Sequence, residues 1–279
     1  MERFVIGHYA HAEPLAHEAD HAIQVDGGSI TVRIYAPANP DRGPLPCHVY
    51  FHGGGFWLGT LEHFDSLCRS LAMEAGCIVA SVGYRLAPEN RFPAAAEDGY
   101  AALSWISEMA VQLGVDPARL SVGGVSAGGN LATVVAMMAR DRNGPSLVLQ
   151  VLEVPVLDLV NHNPLRVPEE GMELSSGKDL YCAHYLTDAS QAALPYVSPL
   201  LAEDLTGLPP ALIMCAQYDP LAAEGAAYAR RLAEAGVTVV HKCWPGQFHG
   251  AQPMAALIPV EAAAYQAMIA SALRAAFKT

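Results

Sequence analysis

Leu120-Ser121-Val122-Gly123-Gly124-Val125-Ser126-Ala127-Gly128-Gly129-Asn130 runs from an apolar strand signal into a glycine-rich turn, and Leu131 to Arg140 continues with alanine, methionine and leucine, residues that favour helix. Strand, tight turn and helix in that order give the G-x-S-x-G pattern of Gly124, Ser126 and Gly128 its meaning: a serine at a strained bend, its hydroxyl exposed above the sheet. The flanking positions must lack bulk because strand and helix backbones pass close to one another there. A five-residue match alone also occurs in ordinary glycine turns, so the strand before it and the helix after it carry the inference.

Working outward, Pro46 to Phe51 reads as a strand and runs directly into His52-Gly53-Gly54-Gly55-Phe56-Trp57-Leu58. Three consecutive glycines leave backbone N–H groups open to a substrate oxygen. A merely flexible turn does not explain why apolar Phe56, Trp57 and Leu58 follow at once. Ala22 to Val25 and Ser29 to Tyr35 alternate around Asp26-Gly27-Gly28 as a hairpin. Helices over 62–75 and 93–114, strands over 77–82, 120–123, 147–154, 211–216 and 237–244, and helices over 220–235 and 255–277 complete a βα rhythm. The expectation is one α/β domain over 1–279, with a mostly parallel central sheet of about eight strands, helices on both faces and the site at the strands' carboxyl ends. The rhythm breaks between Asp158 and Pro195. This 158–195 stretch reads as a cap or lid over the bend, the other reading being an ordinary long connection. Residues 1–20, with His8, His11, His17 and Glu18, read as a polar N-terminal arm rather than a metal cluster.

Composition excludes several functions. The formal charge of −12, with only 16 Lys and Arg, opposes binding to nucleic acid. No apolar run approaches the ~20 residues that cross a bilayer, and Met1-Glu2-Arg3-Phe4 does not open a secretion signal, so a cytoplasmic protein without membrane association is expected. The six cysteines lie far apart with no C-x-x-C pair and read as reduced core residues rather than zinc ligands. No metal or organic cofactor is called for.

A serine nucleophile needs a base and a carboxylate to orient that base. Chain order of serine, then acid, then histidine selects among eleven histidines. His249, in Pro245-Gly246-Gln247-Phe248-His249-Gly250, follows the last strand, whereas His241 lies inside it. Asp219, in Gln217-Tyr218-Asp219-Pro220, follows strand 211–216; its alternative role is a helix N-cap before Pro220.

These residues carry a family resemblance. His52-Gly53-Gly54-Gly55, Tyr84-Arg85-Leu86-Ala87-Pro88-Glu89, the Ser126 turn, Ser198-Pro199-Leu200, Leu208-Pro209-Pro210, Asp219-Pro220-Leu221 and His249-Gly250 resemble the hormone-sensitive-lipase-like family of α/β-hydrolases from about Ile30 onward. The resemblance implies the α/β-hydrolase fold and a carboxylic-ester hydrolase with triad Ser126, Asp219 and His249, and the short front end, which leaves less pocket wall, adds an expected preference for short-chain esters. The resemblance also implies an oxyanion hole from the N–H groups of Gly53, Gly54 and Ala127. Phe56, Trp57, Leu58, Tyr181 and Tyr185 are expected to line the substrate pocket. Val125 stands where relatives carry Asp or Thr, Ala222 and Ala223 where Arg-Asp is usual, and Ala251 where Phe is usual. About twenty residues precede the first strand, fewer than relatives use for half their cap, so a reduced cap is expected. Two rivals stay open: an arylformamidase or amidase of the same fold, and a ligand-binding homologue, against which the presence of His249 counts. The final helix and strand also offer a homodimer surface, by analogy with relatives.

Overall fold

The computed structural model describes residues 15–38, 43–161, 164–167, 172–175, 177–251 and 258–278. His8 and His11 of the expected N-terminal arm lie outside them. The sheet strands are β1 (His17–Val25), β2 (Gly28–Ala36), β3 (Leu45–Phe51), β4 (Ile78–Gly83), β5 (Val115–Val125) and β6 (Leu147–Glu153). Within 158–195 lies the small hairpin β7 (Leu165–Val167) and β8 (Met172–Leu174), and β9 (Ala211–Tyr218) and β10 (Val239–Phe248) complete the main sheet. The helices are α1 (Asp65–Ala75), α2 (Ala94–Glu108), α3 (Ala110–Leu113), α4 (Ala127–Asp141), α5 (Lys178–Tyr185), α6 (Ala222–Glu234) and α7 (Pro259–Ala276).

The main sheet has eight strands in the order β1-β2-β4-β3-β5-β6-β9-β10. β1–β2 and β2–β4 pair antiparallel, and every later neighbour pairs parallel. A parallel strand covered on both faces must be largely apolar on both, as Pro46 to Phe51 of β3 and Leu120 to Val125 of β5 are, and the two buried polar residues there, His48 and Ser121, meet each other at 2.9 Å. Along β3, Cys47, Val49 and Phe51 join the cluster under α2 and α4, while Tyr50 joins the cluster under α1 and α7.

Element boundaries move where the backbone pairs beyond the apolar signal. β1 starts at His17, so His17 to Asp20 are strand rather than arm, and Arg33 across the hairpin grips Asp20 with two hydrogen bonds of 2.6 and 2.9 Å. β5 starts at Val115 because that residue pairs with Leu45, an extension that Pro117 hides. β10 continues past Trp244 because Phe248 rejoins Tyr218 after a bulge over the turn-like Pro245-Gly246. The helix expected over 93–114 divides at Met109 and ends on left-handed Gly114. The 158–195 stretch holds not only helical turns but also the β7–β8 hairpin, whose three-residue strands are too short to show a period.

Candidate active site

β5 ends at Val125 and α4 begins at Ala127, leaving Ser126 alone at the bend with φ 58° and ψ −116°. A non-glycine residue at positive φ stores backbone strain, and surrounding contacts must hold it. They do: the Ser126 N–H donates to the Glu153 carbonyl at 2.8 Å, and the Ser126 carbonyl accepts from Asn130 N at 3.1 Å and Val156 N at 3.2 Å. Close approach explains both glycines of the pattern. A Cβ on Gly124 would stand 2.3 Å from the Phe51 carbonyl oxygen, and one on Gly128 would stand 2.0 Å from the same atom.

The bend meets two loops at the strands' carboxyl ends. Asp219 follows β9 and is almost fully buried; His249 follows β10 and is half-buried. The Ser126 Oγ lies 2.9 Å from His249 Nε2, and His249 Nδ1 lies 2.9 Å from Asp219 Oδ2. The other carboxylate oxygen, Oδ1, accepts the Leu221 N–H at 2.8 Å. One side chain thus holds the His249 ring and the Leu221 N–H just ahead of α6, and Leu221 rather than Asp219 stands at the N-cap of that helix. Asp158 faces elsewhere: its Oδ1 accepts the N–H groups of Val160 and Asn161 at 2.8 and 3.1 Å.

The glycine loop lies against the bend. A Cβ on Gly53 would be 3.0 Å from the Val125 carbonyl and 3.6 Å from the Ser126 Cβ. Gly54 has φ +125°, and a Cβ there would sit 2.1 Å from the Leu58 carbonyl oxygen, so this position excludes every side chain. Ala127 is the first residue of α4, where N–H groups have no intrahelical acceptor and the helix dipole favours negative charge. Buried His52 fixes the loop from below: Tyr84 stacks on its ring at 4.3 Å between centroids, and the Tyr84 hydroxyl donates to the His52 carbonyl at 2.8 Å. Burial pushes the His52 imidazole down to about 4, so it stays neutral and makes its 2.8 Å contact with the Gly53 carbonyl uncharged.

Of the expected pocket residues, the structure separates two groups. Trp57 and Tyr181 are half-buried and Leu58 is 52% exposed, so these three face accessible space. Phe56 and Tyr185 do not line it. Both are fully buried and stack face to face, 3.9 Å between ring centroids, because Phe56 takes φ 69° and turns its ring inward. They support the wall from behind.

Several contacts that hold the site escaped sequence reasoning. Asn130 Nδ2 donates to the carbonyls of Val156 and Val197, both at 2.9 Å, tying α4 to two loops. Arg85 grips buried Asp98 through Nε and Nη2, fixing the Tyr84 segment to α2. Lys178 and Glu224 pair in the interior. Only Asn130 and Arg85 sat in quoted motifs; nothing local marks the 46-residue separation of the last pair. Among the described residues no group of three His, Cys, Asp or Glu is placed to hold a metal, and no helix is long and apolar enough to cross a membrane.

A mostly parallel eight-stranded sheet with a serine at the strand-to-helix bend is the architecture of an α/β-hydrolase. Residues 48–253 match the family model described as alpha/beta hydrolase fold. The chain is 41% identical over 251 residues to the carboxylesterase NlhH of Mycobacterium tuberculosis, covering 88% of this chain and 78% of the relative. It is 39% identical over 237 residues to an ethyl acetate hydrolase of Pseudomonas putida, covering 84% and 74%. The solved Pyrobaculum calidifontis esterase superposes with a TM-score of 0.87 at 40% identity, covering 94% of this chain and 87% of that one. The chain belongs to the α/β-hydrolase fold family, in its hormone-sensitive-lipase-like branch.

Proposed function

We propose that the protein is a serine carboxylesterase that hydrolyses short-chain carboxylic esters, with Ser126 as nucleophile, His249 as base and Asp219 as the residue that orients His249. The observation that carries this reading is the unbroken line of hydrogen bonds from Ser126 Oγ through His249 to Asp219, two contacts of 2.9 Å. In this arrangement His249 Nε2 accepts the Ser126 proton as Oγ attacks the ester carbonyl. Asp219 keeps the other ring proton on Nδ1 and favours the imidazolium that forms. The oxyanion is held by the N–H groups of Gly53, Gly54 and Ala127, donors worth roughly 3–4 kcal/mol each in preorganised holes. His249 then protonates the leaving alcohol, and water repeats the sequence on the acyl-enzyme. Trp57, Leu58 and Tyr181 form the accessible wall, and the 158–195 stretch serves as the cap. A small acyl group accords with the relative named for ethyl acetate.

The test is turnover of p-nitrophenyl esters measured beside N-formylkynurenine and an anilide. Ester turnover exceeding both by at least about 100-fold is the expected outcome. Faster formamide or anilide hydrolysis overturns the ester assignment, and no turnover with ligand-dependent thermal stabilisation favours a binding protein.

The same reading includes a homodimer through β10 and α7. β10 is the sheet edge, pairing only with β9 among the described residues, and Val240 and Phe248 on it are exposed. Light scattering of the protein and of Val240→Lys should read dimer and monomer; a monomeric unsubstituted protein refutes it. All six cysteines are free thiols, in keeping with a reducing cytoplasmic setting, which fractionation of expressing cells would test.

A further inference from the structure

Helix α5 touches both sides of the site. Its outer turn packs on the glycine loop: a Cβ on Gly55 would meet the Tyr181 Cβ at 3.2 Å, Tyr185 stacks on Phe56, and the His184 ring lies 4.7 Å from Trp57. Its C-terminal end is pinned by Arg91, whose Nη1 donates to the carbonyls of Ala183 and Leu186 at 2.8 and 2.5 Å. The N-terminal end carries Lys178, a lysine only 3% exposed. Its Nζ donates to the Asp158 carbonyl at 2.5 Å, to the Asn161 carbonyl at 2.8 Å and to Glu224 Oε1. Glu224 stands in the first turn of α6, the helix that starts just after Asp219, and its Oε2 accepts the N–H groups of Leu157 and Asp158, both at 2.9 Å.

A buried lysine whose three donors are each taken, opposite a carboxylate that accepts two backbone N–H groups, is a completed polar network, and such networks fix one geometry rather than add net stability. Here the geometry fixed is that of α5 between the glycine loop and α6. Burial pushes the Glu224 carboxyl up, and the Lys178 ammonium works against that rise, so removing the lysine leaves a carboxylate with no counter-charge inside the protein.

We propose that Lys178 and Glu224 form a clasp through which α5 braces the glycine-loop wall against α6, making Lys178 a positioning residue for recognition of the acyl and alcohol groups of the ester. The inference rests on the esterase reading above. His52 and Tyr84 tie the start of the glycine loop at Gly53 and α4 carries Ala127, neither through α5, whereas Phe56 and Trp57 lean on α5 directly. Loss of the clasp therefore acts on substrate binding more than on the chemical step.

The experiment compares the unsubstituted protein, Lys178→Met and the double variant Lys178→Met with Glu224→Gln, measuring KM and kcat for p-nitrophenyl butyrate and thermal stability for each. The double variant removes the uncompensated charge yet does not restore the tie. Lys178→Met is expected to raise KM at least 10-fold with kcat within threefold and to lower stability; the double variant is expected to recover stability while keeping the raised KM. A KM within twofold of the unsubstituted protein in Lys178→Met, or a KM that returns together with stability in the double variant, shows a purely structural pair and overturns the proposal. Ester turnover by the unsubstituted protein is read first, so an inactive protein refutes the esterase reading itself and is distinguishable from failure of the clasp.

Discussion

Glu153→Gln is expected to stabilise the protein more and more as pH rises. Glu153 ends β6 and lends its backbone carbonyl to the Ser126 N–H, while its side chain is 1% exposed with Oε2 unpartnered among the described residues. Burial pushes the carboxyl up to about 8 from 4.5, a rise that the Tyr265 hydroxyl only partly opposes. Between these two values the folded protein keeps a proton that the unfolded chain has released, so stability falls as pH rises. Two-state linkage puts the cost at about 1 kcal/mol at about pH 5 and about 4 kcal/mol at about pH 7.5, a slope of about 3 kcal/mol that glutamine does not have. Buried His48 and His52, held down to about 3 and about 4, act in the opposite sense: they remove stability as pH falls below 6.5. Both proteins share that term, so it cancels in the difference. Urea unfolding of the two proteins at both pH values reads it out, with ester turnover little changed because the backbone contact to Ser126 survives. Parallel stability curves would show that Glu153 is ionised or solvated in the folded state and would refute the reasoning.

Asp219→Asn is expected to lower kcat about 10⁴-fold by disturbing the imidazole tautomer, and Asp158→Asn less than about 10-fold, since Asp158 only caps its own loop. Equal losses would mean the acid is wrongly assigned. Gly54→Ala must displace the Leu58 carbonyl or abandon φ +125°, so kcat should fall about 10²–10³-fold while near-UV circular dichroism stays native; unchanged kcat would exclude Gly54 from the oxyanion donors. Each acyl methylene held by protein contributes up to ~0.8 kcal/mol, and kcat/KM is expected to peak between acetate and butyrate esters; a maximum at octanoate or longer contradicts the short-chain assignment.

The glycine turn and the glycine loop were legible because backbone crowding dictates residue type there. Nothing but glycine passes the Phe51 carbonyl at positions 124 and 128. Chain order, with a place just after a strand, pointed to Asp219 and His249, which the structure brings into hydrogen-bond contact with each other and with Ser126, because each parallel strand delivers its next loop to the same edge of the sheet. Orientation was less legible. Phe56 and Tyr185 carry the same apolar signal whether they line a pocket or back its wall, and only their burial against each other in the fold separates the two. The clasp was invisible for another reason: Lys178 and Glu224 lie on different elements, and neither Lys178 beside Asp179 nor Glu224 at the start of an alanine-rich helix signals that its charge will be buried. The β7–β8 hairpin and the final turn of β10 were missed because pairing across a bulge or over three residues leaves no period.

The most direct test of the account is to trap the acyl-enzyme equivalent: incubate the protein with a p-nitrophenyl alkylphosphonate, count the p-nitrophenol released and map the modified peptide by mass spectrometry. The predicted result is one equivalent released per chain, the adduct on Ser126 alone, and neither release nor ester turnover above about one ten-thousandth of normal in Ser126→Ala. An adduct on any other residue, or substantial turnover by Ser126→Ala, would contradict it.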